Sequence, residues 1–78
     1  MNSRMPTIAA KIMVEFLESL GFQQMRRKGS HRFFRHPDGR TATVPDHKGE
    51  DLGRGLMRKI LRDAEVTRHD FLTWYSNR

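Results

Sequence analysis

No cysteine occurs among the 78 residues. Disulfide staples and thiolate metal sites are therefore excluded, and the lack fits a reducing, cytoplasmic setting. Proline is scarce at three residues, and no apolar run is long enough to span a bilayer. The opening residues Met1-Asn2-Ser3-Arg4-Met5-Pro6 lack the apolar stretch of a signal peptide. They read as a flexible lead-in over residues 1–6, with a second candidate start at Met5. Acid is in deficit: nine Asp and Glu face fifteen Lys and Arg, for a formal charge of +6. That excess favours phosphate-rich partners. Nucleic acid is favoured over an anionic membrane, because the most amphipathic segment carries both signs of charge on its polar face. A chain this short buries only about 60–65% of its unfolded surface, so one domain over residues 7–76 is expected, without room for a deep substrate cavity. No internal repeat or low-complexity tract is present.

Ile8, Ile12, Met13, Phe16, Leu17 and Leu20 recur at helical spacing, which predicts a first helix over residues 7–20. Thr7 is placed to cap its start and Gly21 to end it. The period then changes. Residues 22–28 and 31–36 read as two strands broken by Gly29-Ser30, and Pro37-Asp38-Gly39 supplies turn chemistry before a third strand, Thr41 to Val44. Residues 46–51 read as a polar loop. Leu52, Leu56, Met57, Ile60, Leu61 and Ala64 form a second apolar stripe, so a helix is expected over 53–64. Thr67 and Asp70 fit a capping box, with Val66 and Phe71 as its hydrophobic staple, opening a short last helix. Strands flanked by helices indicate an α+β domain, with a three-stranded antiparallel sheet and both main helices on one face.

Three groups of residues are candidates for function. Arg54, Arg58 and Arg62 fall at i, i+4 and i+8 opposite the second stripe, with no acid at that spacing. A solvated face is the plainer reading of such a stripe; phosphate binding is preferred here, with Arg26, Arg27 and Lys28 as further contacts. His31, His36, His47 and His69 form no compact ligand pair and have no cysteine to support them, so neither a metal site nor a cofactor is expected. His31 stands apart. It follows Gly29 and Ser30, small residues that let backbone come close to a ligand, and lies in the most basic stretch, RRKGSHRFFRHPDGR. Imidazole suits both taking and giving a proton near neutral pH. RNA carries its own nucleophile, the 2′-hydroxyl, so its cleavage needs only proton transfer and cations for the developing charge. Lys28 and Arg32 are the candidates for that charge. From the tripeptide alone, a strand-end histidine without catalytic role is the plainer reading.

The order and spacing of "LGF" (20–22), "KGSH" (28–31), "HPDGR" (36–40), "VP" (44–45) and "GLMRKILRDA" (55–64) add a further signal. Together they resemble the HicA toxin family, over about Thr7 to Leu72. The resemblance implies a double-stranded-RNA-binding-domain-like fold and a ribosome-independent mRNA interferase held inactive by a HicB antitoxin. It also implies that the catalytic histidine is His31, with Gly29 and Ser30 before it. One departure stands out: family helices usually open Gly-Thr-Leu, whereas this chain has Gly55-Leu56-Met57, which puts an N-cap or polar contact in question. Residues 73–78 lie beyond the usual family core. The expected protein is a monomeric, metal-independent endoribonuclease toxin, and the alternative is a non-catalytic module of the same fold that binds duplex RNA by shape.

Overall fold

The computed structural model describes residues 5–78. Its elements are β1 (Ile8–Ala9), α1 (Ala10–Ser19), β2 (Gln23–Lys28), β3 (His31–Arg35), β4 (Thr41–Pro45), β5 (Asp51–Leu52), α2 (Arg54–Asp63) and α3 (Arg68–Ser76). Strands β2, β3 and β4 form the expected antiparallel meander. Helices α1 and α2 both pack on β4, and α3 packs on α1. This is the α+β order of a double-stranded-RNA-binding-domain-like fold.

Apolar periodicity explains the layers. On the sheet, Phe34, Ala42 and Val44 are buried on the face that the helices cover. They meet Met13, Phe16 and Leu17 of α1, together with Met57, Ile60 and Leu61 of α2, in a single core. Helix α3 closes one end through Phe71, whose ring meets Phe16 edge-on at 5.1 Å between centroids. Its start is the expected capping box: Asp70 N–H donates to the Thr67 hydroxyl and Thr67 N–H to the Asp70 carboxylate, each at 3.0 Å. The Thr67 backbone N–H first, and then the Thr67 hydroxyl, hold the Asp70 carboxyl below the usual carboxylate range.

The start of the chain differs from expectation. Helix α1 begins at Ala10 rather than residue 7, and Ala9, not Thr7, holds the N-cap position without a side-chain cap. The preceding residues are a strand, with Ile8 opposite Leu52 and Ala9 opposite Asp51. Ile8 also fits the phase of the helical stripe, so its period could not separate the two conformations. The bridge to β5, which the polar-loop reading of residues 46–51 left out, decides it. Met5, which falls in the expected lead-in, is buried at 2% exposure. Residues 1–4 of that lead-in lie outside the described residues. Leu56, at the position of that departure, is the third helical residue after the N-cap Gly53, and no side chain caps the start of α2.

Both main helices end in the same way, and the β3–β4 turn fastens both ends. Phe22 N–H donates to the Leu17 carbonyl and Gly21 N–H to that of Glu18; Val66 and Glu65 repeat the pattern onto Leu61 and Arg62. These are Schellman caps, which need a left-handed residue. Gly21 supplies it at φ 104°, and Glu65 takes it at φ 59° despite its side chain. The carbonyl left at each cap is then met by the segment His36-Pro37-Asp38-Gly39-Arg40. His36 Nε2 donates to the Leu20 carbonyl at 2.9 Å, and Arg40 Nη1 donates to that of Ala64 at 2.7 Å. Asp38 joins the two clamps. Its N–H lies 3.1 Å from His36 Nδ1, and its carboxylate accepts from Arg40 Nε at 2.9 Å. In the neutral ring Nδ1 accepts from that N–H; in the charged ring it faces the Asp38 carboxylate at 3.0 Å. Either way the Nε2 proton points at the helix cap. The Arg40 backbone N–H, and then its guanidinium, lower the pKa of Asp38. Such a depressed carboxyl stabilises the fold above its unfolded pKa, an effect lost as the pH falls through the folded value.

The two left-handed cap positions predict opposite outcomes. A Cβ at Gly21 would lie 3.0 Å from His36 Nε2. Gly21→Ala should therefore combine left-handed strain with a broken clamp and lower the stability by about 2–3 kcal/mol, or the Tm by about 10 °C or more. Glu65→Gly should relieve strain at the same motif and raise stability by about 0.5–1 kcal/mol. Thermal and urea melts of the two variants check both signs.

Candidate active site on the open sheet face

Phe34 points inward, so strand alternation sends His31, Phe33 and Arg35 to the opposite, helix-free face. Register then assigns the neighbours. On β2, Lys28 lies opposite His31, Arg26 opposite Phe33 and Gln23 opposite Arg35, with an irregularity between Gln24 and Arg26 that leaves Met25 unpaired. On β4 the same face carries Pro45, Thr43 and Thr41. Directly opposed side chains have Cβ atoms about 5 Å apart, which brings the Lys28 ammonium within reach of anything bound at His31.

His31 is exposed, and among the described residues no hydrogen bond reaches its ring. Its ring centroid lies 6.5 Å from that of Phe33, tilted by 40°. The Arg26 guanidinium sits over the other ring, 4.6 Å from the Phe33 centroid. The two residues before His31 are the tip of the β2–β3 hairpin. Gly29 has φ 58°, the left-handed value that a two-residue hairpin turn with Gly first requires. An added Cβ there would meet nothing within 4 Å, so the turn and not crowding calls for glycine. The tip is braced on its far side. Asp46 N–H donates to the Ser30 carbonyl at 2.6 Å, and Arg27 Nε donates to that of Gly29 at 3.0 Å.

The cations expected around His31 are thus divided between faces. Arg26 and Lys28 share its face. Arg27 and Arg32 lie opposite each other on the reverse side. Arg32 is engaged there, donating to Gln24 Oε1 at 2.7 Å and pairing with Asp46 at 3.1 Å. Arg54, Arg58 and Arg62 belong to the helix layer. Arg54 Nε donates to the Met5 carbonyl at 2.6 Å. Arg58 and Arg62 are exposed and, with Met5, Leu61, Val66 and Arg68, line a shallow groove of about 470 Å³. His36 serves the helix caps, while His47 and His69 are exposed elsewhere. The residues that sequence reasoning missed at the site are Phe33 and Arg35. Their signal was the 31-33-35 alternation, hidden because Phe33 and Phe34 are equally apolar.

Among the described residues, no group of three or more His, Cys, Asp or Glu is placed to hold a metal ion, and no carboxylate shares the face of His31. No helix among them is long and apolar enough to cross a membrane.

The chain is thus a small α+β domain whose bare sheet face carries one free histidine among cations without acidic partners in the described residues. Its sequence matches the family model of the HicA toxin of bacterial toxin–antitoxin systems over residues 10–66, nearly the whole of the two-layer domain. The chain is a member of the HicA toxin family. Membership gives it the toxin role in a toxin–antitoxin pair and implies a HicB antitoxin as its partner. The match ends where α3 is about to begin. No curated protein matches the chain.

Proposed function

We propose that this toxin is a metal-independent endoribonuclease that cleaves mRNA with His31. The observation that carries the reading is the isolation of His31 on the open face. Its imidazole is bound by no group among the described residues, Lys28 lies opposite it, and no acid is there to neutralise either. Neutral imidazole takes the proton of the 2′-hydroxyl. The 2′-oxygen then attacks the adjacent phosphorus, and the bond to the 5′-oxygen breaks. The leaving oxygen takes its proton from water, which reaches this open surface freely. Lys28 and Arg26 stabilise the extra negative charge on the phosphoryl oxygens, and such preorganised cations act where charge develops. Gly29 and Ser30 position His31 through the hairpin tip. Arg32, paired with Asp46 on the reverse side, supports the strand rather than the phosphate. An exposed sheet face suits a polymer, which needs a track more than a cavity. Cytoplasmic mRNA is the substrate in this reading, and Arg58 and Arg62 take a more distant stretch of its backbone.

His31→Ala should lose cleavage by about 10²–10⁴, the range for general acid–base catalysis, with RNA affinity and Tm almost unchanged. Cleavage by the unaltered protein should continue in excess EDTA and leave a 2′,3′-cyclic phosphate and a 5′-hydroxyl, resolved by gel mobility and end-labelling. Survival of activity without His31, a strict Mg²⁺ requirement, or a 5′-phosphate product would each contradict the mechanism. Binding without any cleavage would support a duplex-RNA module instead.

The helix stripe generates a separate prediction. Each phosphate contact on a single strand changes the logarithm of affinity by about 0.7 per unit of log salt. Arg58→Ala should flatten that slope by about 0.7, while His31→Ala leaves it intact. Anisotropy of labelled RNA across a salt series, in the His31→Ala background, measures both. An unchanged slope would make the stripe a solvated face.

A further inference from the structure

Phe33 is out of place for packing alone. The inner position beside it is already filled by Phe34, at 1% exposure, so the core gains nothing from a second ring on the outer face. No helix covers that face, and Phe33 is half-buried there with neighbouring side chains close to its ring. One is Arg26, with its guanidinium 4.6 Å from the ring centroid; another is His31, at 6.5 Å. No acid pairs with Arg26 among the described residues. A half-buried aromatic ring and the guanidinium laid over it therefore form one flat platform beside the proposed reacting histidine.

The strand sets the spacing. Same-face neighbours on an antiparallel strand are about 6.8 Å apart, so His31, Phe33 and Arg35 stand in a row at intervals comparable to the repeat of an extended nucleotide chain. Aromatic rings and guanidinium planes are the surfaces on which unpaired bases stack, whereas duplex RNA keeps its bases inside and offers backbone and groove edges. We propose that Phe33, with Arg26, seats one unpaired base next to the phosphate held at His31, and that Arg35, about 13.6 Å from His31 along the strand, takes a phosphate two nucleotides away. The strand is read in single-stranded form, and Phe33 is its specificity-determining residue. The inference rests on the ribonuclease reading for the neighbouring phosphate, but the stacking itself is a binding event that is measurable without cleavage.

The test uses the full chain in the His31→Ala background, with Phe33→Ala, Phe33→Leu and Phe33→Trp added in turn. Anisotropy is read with a labelled single-stranded RNA and with a blunt duplex of the same sequence. Phe33→Ala should weaken single-strand binding by about 5- to 100-fold, the range for loss of base–aromatic stacking. Phe33→Leu should lose nearly as much, because it keeps apolar bulk without a π-face, and Phe33→Trp should restore binding to within about 3-fold. Duplex affinity should not respond. Where His31 is kept, Phe33→Ala should raise KM more than it lowers kcat on short single-stranded substrates. Melting curves identify any variant that fails to fold, and the Phe33→Leu and Phe33→Trp pair keeps the comparison between folded proteins. Single-strand affinity that stays the same when Phe33 is replaced by leucine or by alanine would overturn the proposal, as would equal losses on duplex. Those results would leave the role of His31 standing. Cleavage that survives His31→Ala, with Phe33-dependent single-strand binding retained, would instead overturn the catalytic reading alone.

Discussion

Burial of Phe34 is the constraint on which the site depends. Side chains alternate across a strand with a period of two, so a single buried position fixes the face of every other residue on β3. With Phe34 against Ala42 and the helices, His31, Phe33 and Arg35 can only face outward. A slip of one residue would bury the histidine and expose the core. The β3–β4 turn guards that register from the other end, because His36 and Arg40 hold the C-terminal caps of α1 and α2 in place. Two histidines in one basic segment thus have different work: His36 fastens the fold, and His31 faces solvent.

The distribution of charge follows the same division. Arg32, Arg40 and Arg78 are paired with Asp46, Asp38 and Glu15. The cations of the open face, Arg26, Lys28 and Arg35, have no such partner among the described residues. Their mutual repulsion is tolerable at a solvated surface and would be relieved by a polyanion, which is the physical basis of the proposed RNA binding.

Much of this was legible from residue patterns, and what was not has identifiable causes. Helical stripes over Met13 to Leu17 and Met57 to Leu61, the turn at residues 37–39 and the capping box at Thr67 are local signals, and the elements formed where those signals lie. The β1–β5 bridge was hidden because Ile8 fits a helical phase as well as a strand, and its partner Leu52 is distant in sequence. At the site, the tripeptide alone favoured a strand-end histidine without a role, and it was the resemblance to a family motif that singled out His31. The placement of Phe33 on the open face was not legible, because two adjacent phenylalanines give no parity until one of them is seen to be buried. Arg32 shows the converse: it adjoins His31 in sequence but lies on the other side of the sheet. The clamp formed by His36, Asp38 and Arg40 joins residues to carbonyls far along the chain, a relation that composition does not carry.

In the proposed mechanism RNA lies on the open sheet face with its reacting phosphate at His31. Backbone amide NMR of the unaltered protein, titrated with a short RNA whose 2′-hydroxyls are methylated, tests it most directly, since the blocked nucleophile prevents cutting. Shifts concentrated at Arg26, Lys28, His31, Phe33 and Arg35, with the buried helix faces unmoved, are the predicted result. Shifts confined to α2 around Arg58 and Arg62, with β3 unaffected, would contradict it.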